Sequence, residues 1–377
     1  MTEPRPPRTA LIWERFGPYH HARMQAAARW LDLHGIEVVA RDATYAWDTA
    51  EAGEGYVMHR IESAPLTDLL DRIAPEVVAV PGWSAPYALD ALGWARARGA
   101  RAVMMSDSNP HDARRRPFKE WLKRGIVSQA QAGFAAGSHA RAYLERLGLG
   151  PAGITTGYDV VDNAHFARPR GTGPGRGFLA VARFVEKKNL CMLLDAYAAY
   201  RAEAGSGAWP LTLVGDGDMR PTLEAQIDAL GLTDAVTLPG FVQYPDLPVL
   251  YHGAGALVVP SRVEQWGLVV NEAMAAGLPV LVSDMAGCAL DLVVDGRTGF
   301  TFAPTDTAAL TARMTELAAD PARAAAMGEA AATHVADWGL NAFAEGLVTA
   351  VQSSLAAPPA PSGPALRLWA LSQRRRR

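Results

Sequence analysis

Short apolar runs recur along the chain, with helical patterns between them. In the first half the runs are Ala10–Trp13, Ile36–Ala40, Glu76–Val80, Arg101–Met105 and Gly133–Ala136. His21–Leu33 and Ala140–Leu147, rich in Ala, Leu and Arg, read as helices between them. Strand-helix alternation of this kind predicts a parallel sheet covered on both faces. Arg168–Gly177, RPRGTGPGRG, has no periodicity and reads as a loop, so a linker is placed at 166–177. The alternation restarts with Phe178–Val181, Leu211–Val214, Ala235–Leu238, Ala256–Val259 and Val280–Val282. The expectation is an α/β chain of two Rossmann-like domains, 1–165 and 178–340, facing each other across a cleft that is the natural place for a ligand. A helix at 341–355 is a candidate for crossing back to the N-terminal domain. Ala356–Pro364, AAPPAPSGP, opens a tail, 356–377, expected to be disordered.

The most informative stretch is Val258–Gly277, VVPSRVEQWGLVVNEAMAAG. A buried strand ends at Pro260-Ser261, a short loop carries Glu264, and a helix begins near Gly267 with Glu272 in its second turn. The first amide groups of a helix lack intrahelical acceptors and sit at the positive end of its dipole, so the backbone around Trp266, Gly267 and Leu268 can hold a phosphate. Gly267 has no Cβ to keep an anion away. A carboxylate before the helix can accept from hydroxyls on one side of a diphosphate. One a turn further in can accept from a diol on the other side, as acidic residues do for ribose in dinucleotide folds. Acidic residues also favour helix starts for dipole reasons alone, so the spacing by itself leaves a structural role open.

The residues around the two glutamates narrow the choice. Glu264, Trp266, Gly267, Glu272-Ala273-Met274-Ala275-Ala276-Gly277, Pro279 and Val280 resemble the E-x7-E motif of family 4 glycosyltransferases, the glycosyl transferases group 1. Three further segments are similar to that family in the same order. They are Ala182-Arg183-Phe184 with Glu186-Lys187-Lys188-Asn189, then Val214-Gly215-Asp216-Gly217, then Gly240-Phe241-Val242. The resemblance spans roughly 178–302 and is weaker over the first 165 residues. Where the family often has Gly-Gly, this chain has Met285-Ala286-Gly287-Cys288-Ala289.

The resemblance implies the GT-B fold and a retaining transfer of a sugar from a nucleotide-diphosphate donor. The acceptor would be a sugar, a lipid-linked molecule or a small molecule, in bacterial polysaccharide or glycoconjugate synthesis. Arg183 and Lys188 would neutralise the departing diphosphate. Glu264 would orient sugar hydroxyls and Glu272 would hold the ribose. Gly215, Phe241, Val242, Gln265, Trp266, Gly267 and Leu268 would complete the donor site. The donor is a co-substrate; no cofactor and no obligatory metal are implied. Asp216 and Asp218 form a D-x-D, but in a Gly-rich turn after a strand their ordinary role is to cap it. An epimerase of the same fold and a non-catalytic nucleotide-sugar-binding protein are the other readings.

In the first half, Phe16-Gly17-Pro18-Tyr19-His20 follows the first strand, where the resemblance puts a loop facing the donor phosphate. Gly17 and His20 are the candidates there. Asp107, at the end of another strand run, is the candidate near the acceptor hydroxyl, since ligands gather at the C-terminal ends of parallel strands. Arg114–Arg124, RRRPFKEWLKR, carries six cations, with Phe118, Trp121, Leu122 and Ile126 at helical spacing. That segment suits an anionic acceptor, a membrane interface, or a helix whose stripe lies in the core. Arg374–Arg377 is a second candidate for peripheral membrane contact.

Composition removes other classes. The 377 residues hold 36 basic and 39 acidic side chains, a net charge of -3, which gives no general case for nucleic-acid binding. Cys191 and Cys288 are too few for a disulfide framework or a zinc cluster. With no apolar leader-like run and no long apolar stretch, the expectation is a cytoplasmic protein, with any contact at the inner membrane peripheral.

Overall fold

The structure, a computed structural model, describes residues 5–38, 53–61, 65–169, 173 and 175–360. Two compact units divide the chain: Met1–Val160 together with Gly339–Arg377, and Val161–Trp338.

The first unit is a parallel sheet of β1 (Arg8–Trp13), β2 (Asp32–Glu37), β3 (Val57–Arg60), β4 (Val77–Pro81), β5 (Arg101–Ser106), β6 (Ala132–Ala135) and β7 (Ile154–Thr156). Their order is β3-β2-β1-β4-β5-β6-β7, so the winding reverses between β1 and β4. The helices are α1 (Pro18–Ala27), α2 (Leu66–Ile73), α3 (Pro86–Arg98), α4 (Pro117–Val127) and α5 (Ser138–Arg146). Strands β4 to β6 are buried almost throughout, as continuous apolar runs in a parallel sheet should be.

Two expectations need correction here. The helix expected over His21–Leu33 ends at Ala27, and the next strand already runs from Asp32 to Glu37 instead of Ile36–Ala40. Gly35 made the strand look broken. It is needed inside the strand because a Cβ there would lie 2.8 Å from Phe16 Cζ. The edge strands β3 and β7 were also unforeseen, being short and only partly apolar.

The second unit starts with α6 (Asn163–Phe166). Its sheet holds β8 (Phe178–Val181), β9 (Leu211–Val214), β10 (Val236–Gly240), β11 (Ala256–Val259), β12 (Val280–Ser283) and β13 (Gly299–Phe302). All pairings are parallel, in the order β10-β9-β8-β11-β12-β13, with the reversal between β8 and β11. Around it lie α7 (Leu190–Ala204), α8 (Arg220–Ala229), α9 (Leu247–Gly253), α10 (Leu268–Ala275), α11 (Ala289–Leu292), α12 (Thr307–Ala319) and α13 (Pro321–Val335). Phe178, Leu211 and Val258 of the sheet pack with Leu193, Tyr197 and Met314 of the helices.

The last described helix, α14 (Leu340–Ala356), belongs to the first unit. Its Phe343, Leu347 and Val351 share a core with Leu11 of β1, Val103 of β5 and Phe134 of β6. Phe134 and Phe343 have ring centroids 5.2 Å apart. Close fit is visible at Gly157 (φ +100°), where a Cβ would stand 2.9 Å from the Ala342 carbonyl. Arg374–Arg377 lies outside the described residues, as does the tail from 361 onward.

Candidate active site

In open parallel sheets, ligands bind outside the C-terminal ends of the strands where the winding reverses. In the second unit those ends belong to β8 and β11, and the loops leaving them carry the candidate residues. The β8 loop runs through Arg183 to Lys188 and closes with Asn189, one of the few non-glycine residues at positive φ (58°). Asn189 is buried and ties the two loops together. Its Nδ2 donates to the Pro260 carbonyl (3.0 Å) and the Pro304 carbonyl (2.8 Å), and its Oδ1 accepts from Arg262 Nε (2.9 Å). The Arg262 N–H donates to the Lys187 carbonyl at 2.8 Å.

This stitching brings together side chains 76 positions apart in sequence. Lys188 Nζ donates to Glu264 Oε2, which also accepts from Ser261 Oγ at 3.2 Å. The Lys188 and Glu264 side chains are only 15% and 13% exposed, so the pair is largely withdrawn from water. Arg183 is half-buried in the same loop as Lys188.

The Glu264 loop is strapped from the other side by the segment after β12. The Gly287 N–H donates to the Glu264 carbonyl (3.0 Å) and the Cys288 N–H to the Trp266 carbonyl (3.1 Å). A Cβ on Gly287 would lie 1.8 Å from the Gln265 carbonyl, so this strap tolerates no side chain there. Cys288 is buried at the Glu264 carboxylate; burial first, then that charge, pushes its thiol well above the ordinary range and keeps it an inert thiol. Gly267 caps α10 at φ +107°, a conformation that L residues avoid.

Other expected donor residues take varied positions. Gly215 ends β9 at φ +128°, where a Cβ would stand 1.9 Å from the Ala182 carbonyl, and its N–H donates to the Gly240 carbonyl at 2.9 Å. It lets the ends of β8, β9 and β10 converge. Phe241 is exposed just past β10, with Val242 half-buried beside it. Gln265 and Leu268 are half-buried. The Trp266 indole is not available to a donor. It is buried, 5.4 Å from Trp338 between ring centroids, and its Nε1 donates to Asn271 Oδ1 at 2.9 Å. Its apolar bulk belongs to the core, and it reaches the helix start only through its backbone, which is how the sequence placed it.

Glu272 is deeper than its spacing suggested, at 1% exposed, and it accepts the hydrogen bond of Tyr251 on α9. Tyr251 is fully buried against Phe166, ring centroids 5.7 Å apart. Nothing in the sequence pointed to Tyr251, because its partner lies on a different helix. Asn189 was part of the motif, but its bridging role depends on the neighbouring loop. Asp216 accepts from the Gly217 N–H at 2.7 Å and lies 3.5 Å from Arg220, which is a turn and ion-pair role.

In the first unit, Gly17 and His20 leave the end of β1, and Asp107 follows the end of β5, on the same rim of the sheet. Gly17 is the N-cap of α1, and its N–H donates to His20 Nδ1 at 3.0 Å. That bond leaves the imidazole proton on Nε2. The ring packs on Trp13 (4.8 Å) and Phe16 (5.8 Å), and burial, with Arg23 and His21 adding to it, lowers its pKa to about 3. His20 is therefore a neutral hydrogen-bonding group rather than a base that takes up a proton near neutrality. Asp107 is half-buried.

The basic segment separates into two sets. Arg115 donates to Asp112, and Lys123 Nζ donates to Glu120 Oε1 (2.9 Å) and to Tyr143 (2.9 Å), forming a half-buried network. These two cations are neutralised locally, so the six charges counted in the segment do not all face solvent. Leu122 and Ile126 are core residues, whereas Phe118 and Trp121 are exposed.

Residues 168–334 match the sequence family described as glycosyl transferases group 1. This segment is a glycosyl transferases group 1 domain. It contains Arg183, Lys188, Glu264, Gly267 and Glu272. The chain is 32% identical over 249 residues to the GDP-mannose-dependent alpha-(1-6)-phosphatidylinositol monomannoside mannosyltransferase of Mycolicibacterium smegmatis, covering 63% of this chain and 61% of that protein. It is 35% identical over 192 residues to a glycogen synthase of Mycobacterium tuberculosis, covering 50% and 45%. The chain thus spans less than two thirds of the length of these curated relatives. Among solved structures, sucrose-phosphate synthase from Thermosynechococcus elongatus has a TM-score of 0.72 at 20% identity, covering 90% of this chain and 97% of that one. HepE of Anabaena, solved in complex with UDP, has a TM-score of 0.71 at 16% identity, covering 90% and 98%. The fold is GT-B, two parallel-sheet α/β units. Among the described residues, no helix is long and apolar enough to cross a membrane.

Proposed function

We propose that this protein is a retaining glycosyltransferase that moves a sugar from a nucleotide-diphosphate donor to a sugar, lipid-linked or small-molecule acceptor in bacterial polysaccharide or glycoconjugate synthesis, working in the cytoplasm. The observation that carries the reading is the Lys188–Glu264 pair, beside the start of α10 and at the winding reversal of the group 1 domain. That place combines a cation and helix amides for phosphate with a carboxylate for sugar hydroxyls. The M. smegmatis and M. tuberculosis relatives, both named as sugar-transferring or polymer-building enzymes, support the same class.

In this reading the diphosphate takes Lys188 and Arg183, and Glu264 passes to the sugar. The bond from the sugar's anomeric carbon to the phosphate oxygen breaks, and the acceptor oxygen bonds that carbon from the same face. The acceptor proton goes to a donor phosphate oxygen. Lys188 and Arg183 stabilise the negative charge that grows on the leaving group, the largest contribution a preorganised site makes. Neutral His20, with its proton on Nε2, contributes as a hydrogen-bond donor. No metal is needed for this charge balance. The test is incubation with UDP-, GDP-, dTDP- and ADP-sugars and an acceptor panel, following nucleoside diphosphate release and the anomeric configuration of the product. An inverted product, or no release with any donor, would overturn it.

A further inference from the structure

We propose that the outer face of α4 is a docking surface for a bilayer of anionic phospholipid, seated through Phe118 and Trp121. The helix has two unlike faces. Leu122, Ile126 and Val127 are buried in the first unit, which satisfies the helix's need to pack. Phe118 and Trp121, one turn apart, are 69% and 55% exposed and stack on each other with ring centroids 6.0 Å apart and planes 24° apart. Two large rings held together in water are not explained by the core, which already has its own stripe.

The charges around the rings decide what the face would meet. Of the six cations in the segment, Arg115 and Lys123 are occupied inward. Arg115 pairs with Asp112 and lies over the Tyr143 ring (4.4 Å), while Lys123 pairs with Glu120. The same network consumes both nearby carboxylates. Arg114, Arg116 and Arg124 are exposed and Lys119 is half-exposed. The segment therefore carries two exposed aromatic rings and four cations outside that network, on a chain whose net charge is -3. A protein partner would match two protruding rings with a pocket. A phospholipid interface needs no pocket: aromatic rings settle at headgroup depth, and long cationic side chains reach the phosphates around them. Each such cation near an anionic membrane adds about fivefold in partitioning, equivalent to about 1 kcal/mol.

This surface requires no nucleotide, so its test is separate from that of the transfer reaction. The full chain is sedimented with vesicles of phosphatidylcholine alone and of phosphatidylcholine with about a quarter phosphatidylglycerol. Binding to the second only, and its loss near 1 M salt, where the Debye length falls to about 3 Å, is expected. Phe118→Ser with Trp121→Ser should lower partitioning tenfold or more. Arg114→Ser and Arg116→Ser should each lower it about fivefold, and all variants should keep the wild-type melting temperature because these positions are exposed. Brominated lipid should quench wild-type fluorescence more than that of Trp121→Phe, a readout that holds even if a Ser variant misfolds. Equal quenching in the two proteins, or no sedimentation with anionic vesicles, overturns the proposal. So does salt-sensitive binding that is indifferent to Phe118 and Trp121, which would mean that cations alone hold the vesicle and the rings are not seated in it.

Discussion

Replacing Lys188 with Met probes the site at its most constrained point. In the wild type, Glu264 shares its Oε2 between Lys188 and Ser261, and both members of the ion pair are more than four-fifths shielded from water. Taking one partner from a fully buried pair costs about 3–5 kcal/mol, chiefly because the other charge is stranded. Here Ser261 remains at 3.2 Å and some solvent reaches the carboxylate, so a loss of about 1–3 kcal/mol is expected for Lys188→Met. Glu264→Gln strands the ammonium group, which can turn to water more easily, and should cost less. The double variant removes both charges and should recover most of the loss, giving a coupling of about 1–3 kcal/mol. Urea titrations of the four proteins, with the m-values compared to confirm that the same unfolding is being followed, measure it.

Nucleotide affinity gives an independent reading of the same pair. Lys188 must leave Glu264 to meet a phosphate, so Glu264→Gln should bind free nucleoside diphosphate at least as tightly as wild type while its turnover falls. Lys188→Met should bind about ten- to one-hundred-fold more weakly, from a lost charged contact of about 1.5–3 kcal/mol. A coupling below about 0.3 kcal/mol together with unchanged nucleotide affinity in Lys188→Met would refute the reasoning.

Tyr251→Phe removes the phenol that serves buried Glu272 and should cost about 1–3 kcal/mol of stability. It should also weaken ribonucleotides more than their 2′,3′-dideoxy analogues, as read by calorimetric titration, and an equal loss for both would separate Glu272 from the ribose. His20 supplies a pH signature: its pKa of about 3 lies below the ordinary 6.5, so the unfolded chain takes up a proton that the native one refuses. The stability linked to His20 is then complete above pH 6.5 and declines as pH falls from 6.5 toward about 3. His20→Gln should flatten that decline relative to wild type in urea midpoints measured across the window, and parallel curves would contradict the assignment.

Much of this was legible in the linear text, for definite reasons. Fully buried parallel strands are continuous apolar runs, so β4, β5, β6, β8, β9, β11 and β12 stood out. The motif residues Lys188, Glu264 and Gly267 were identifiable because the residues around them resemble a family motif; their spacing alone left a structural role open. What was hidden depends on neighbours across the fold. Tyr251 gains its meaning only beside Glu272, and the Asn189 bridge only beside Pro260 and Pro304. The burial of the Trp266 indole was hidden for the same reason: it faces Trp338, 72 positions away in the chain by their numbers. The basic segment showed the limit of counting charges, since the partners Asp112 and Glu120 decide which cations remain at the surface.

The placement of α14 has a consequence for synthesis on the ribosome. The first unit consists of two stretches of chain, Met1–Val160 and Gly339–Arg377, whereas the second is one uninterrupted stretch, Val161–Trp338. Translation therefore delivers the whole of the second unit before the first has received Phe343, Leu347 and Val351, each worth about 1.5–3 kcal/mol of burial. The part of the protein made first is the last able to finish folding. Until α14 emerges, the nascent chain carries an open apolar trough along β1, β5 and β6, and any premature stop before Leu340 leaves that trough permanently uncovered, a substrate for chaperones and proteases.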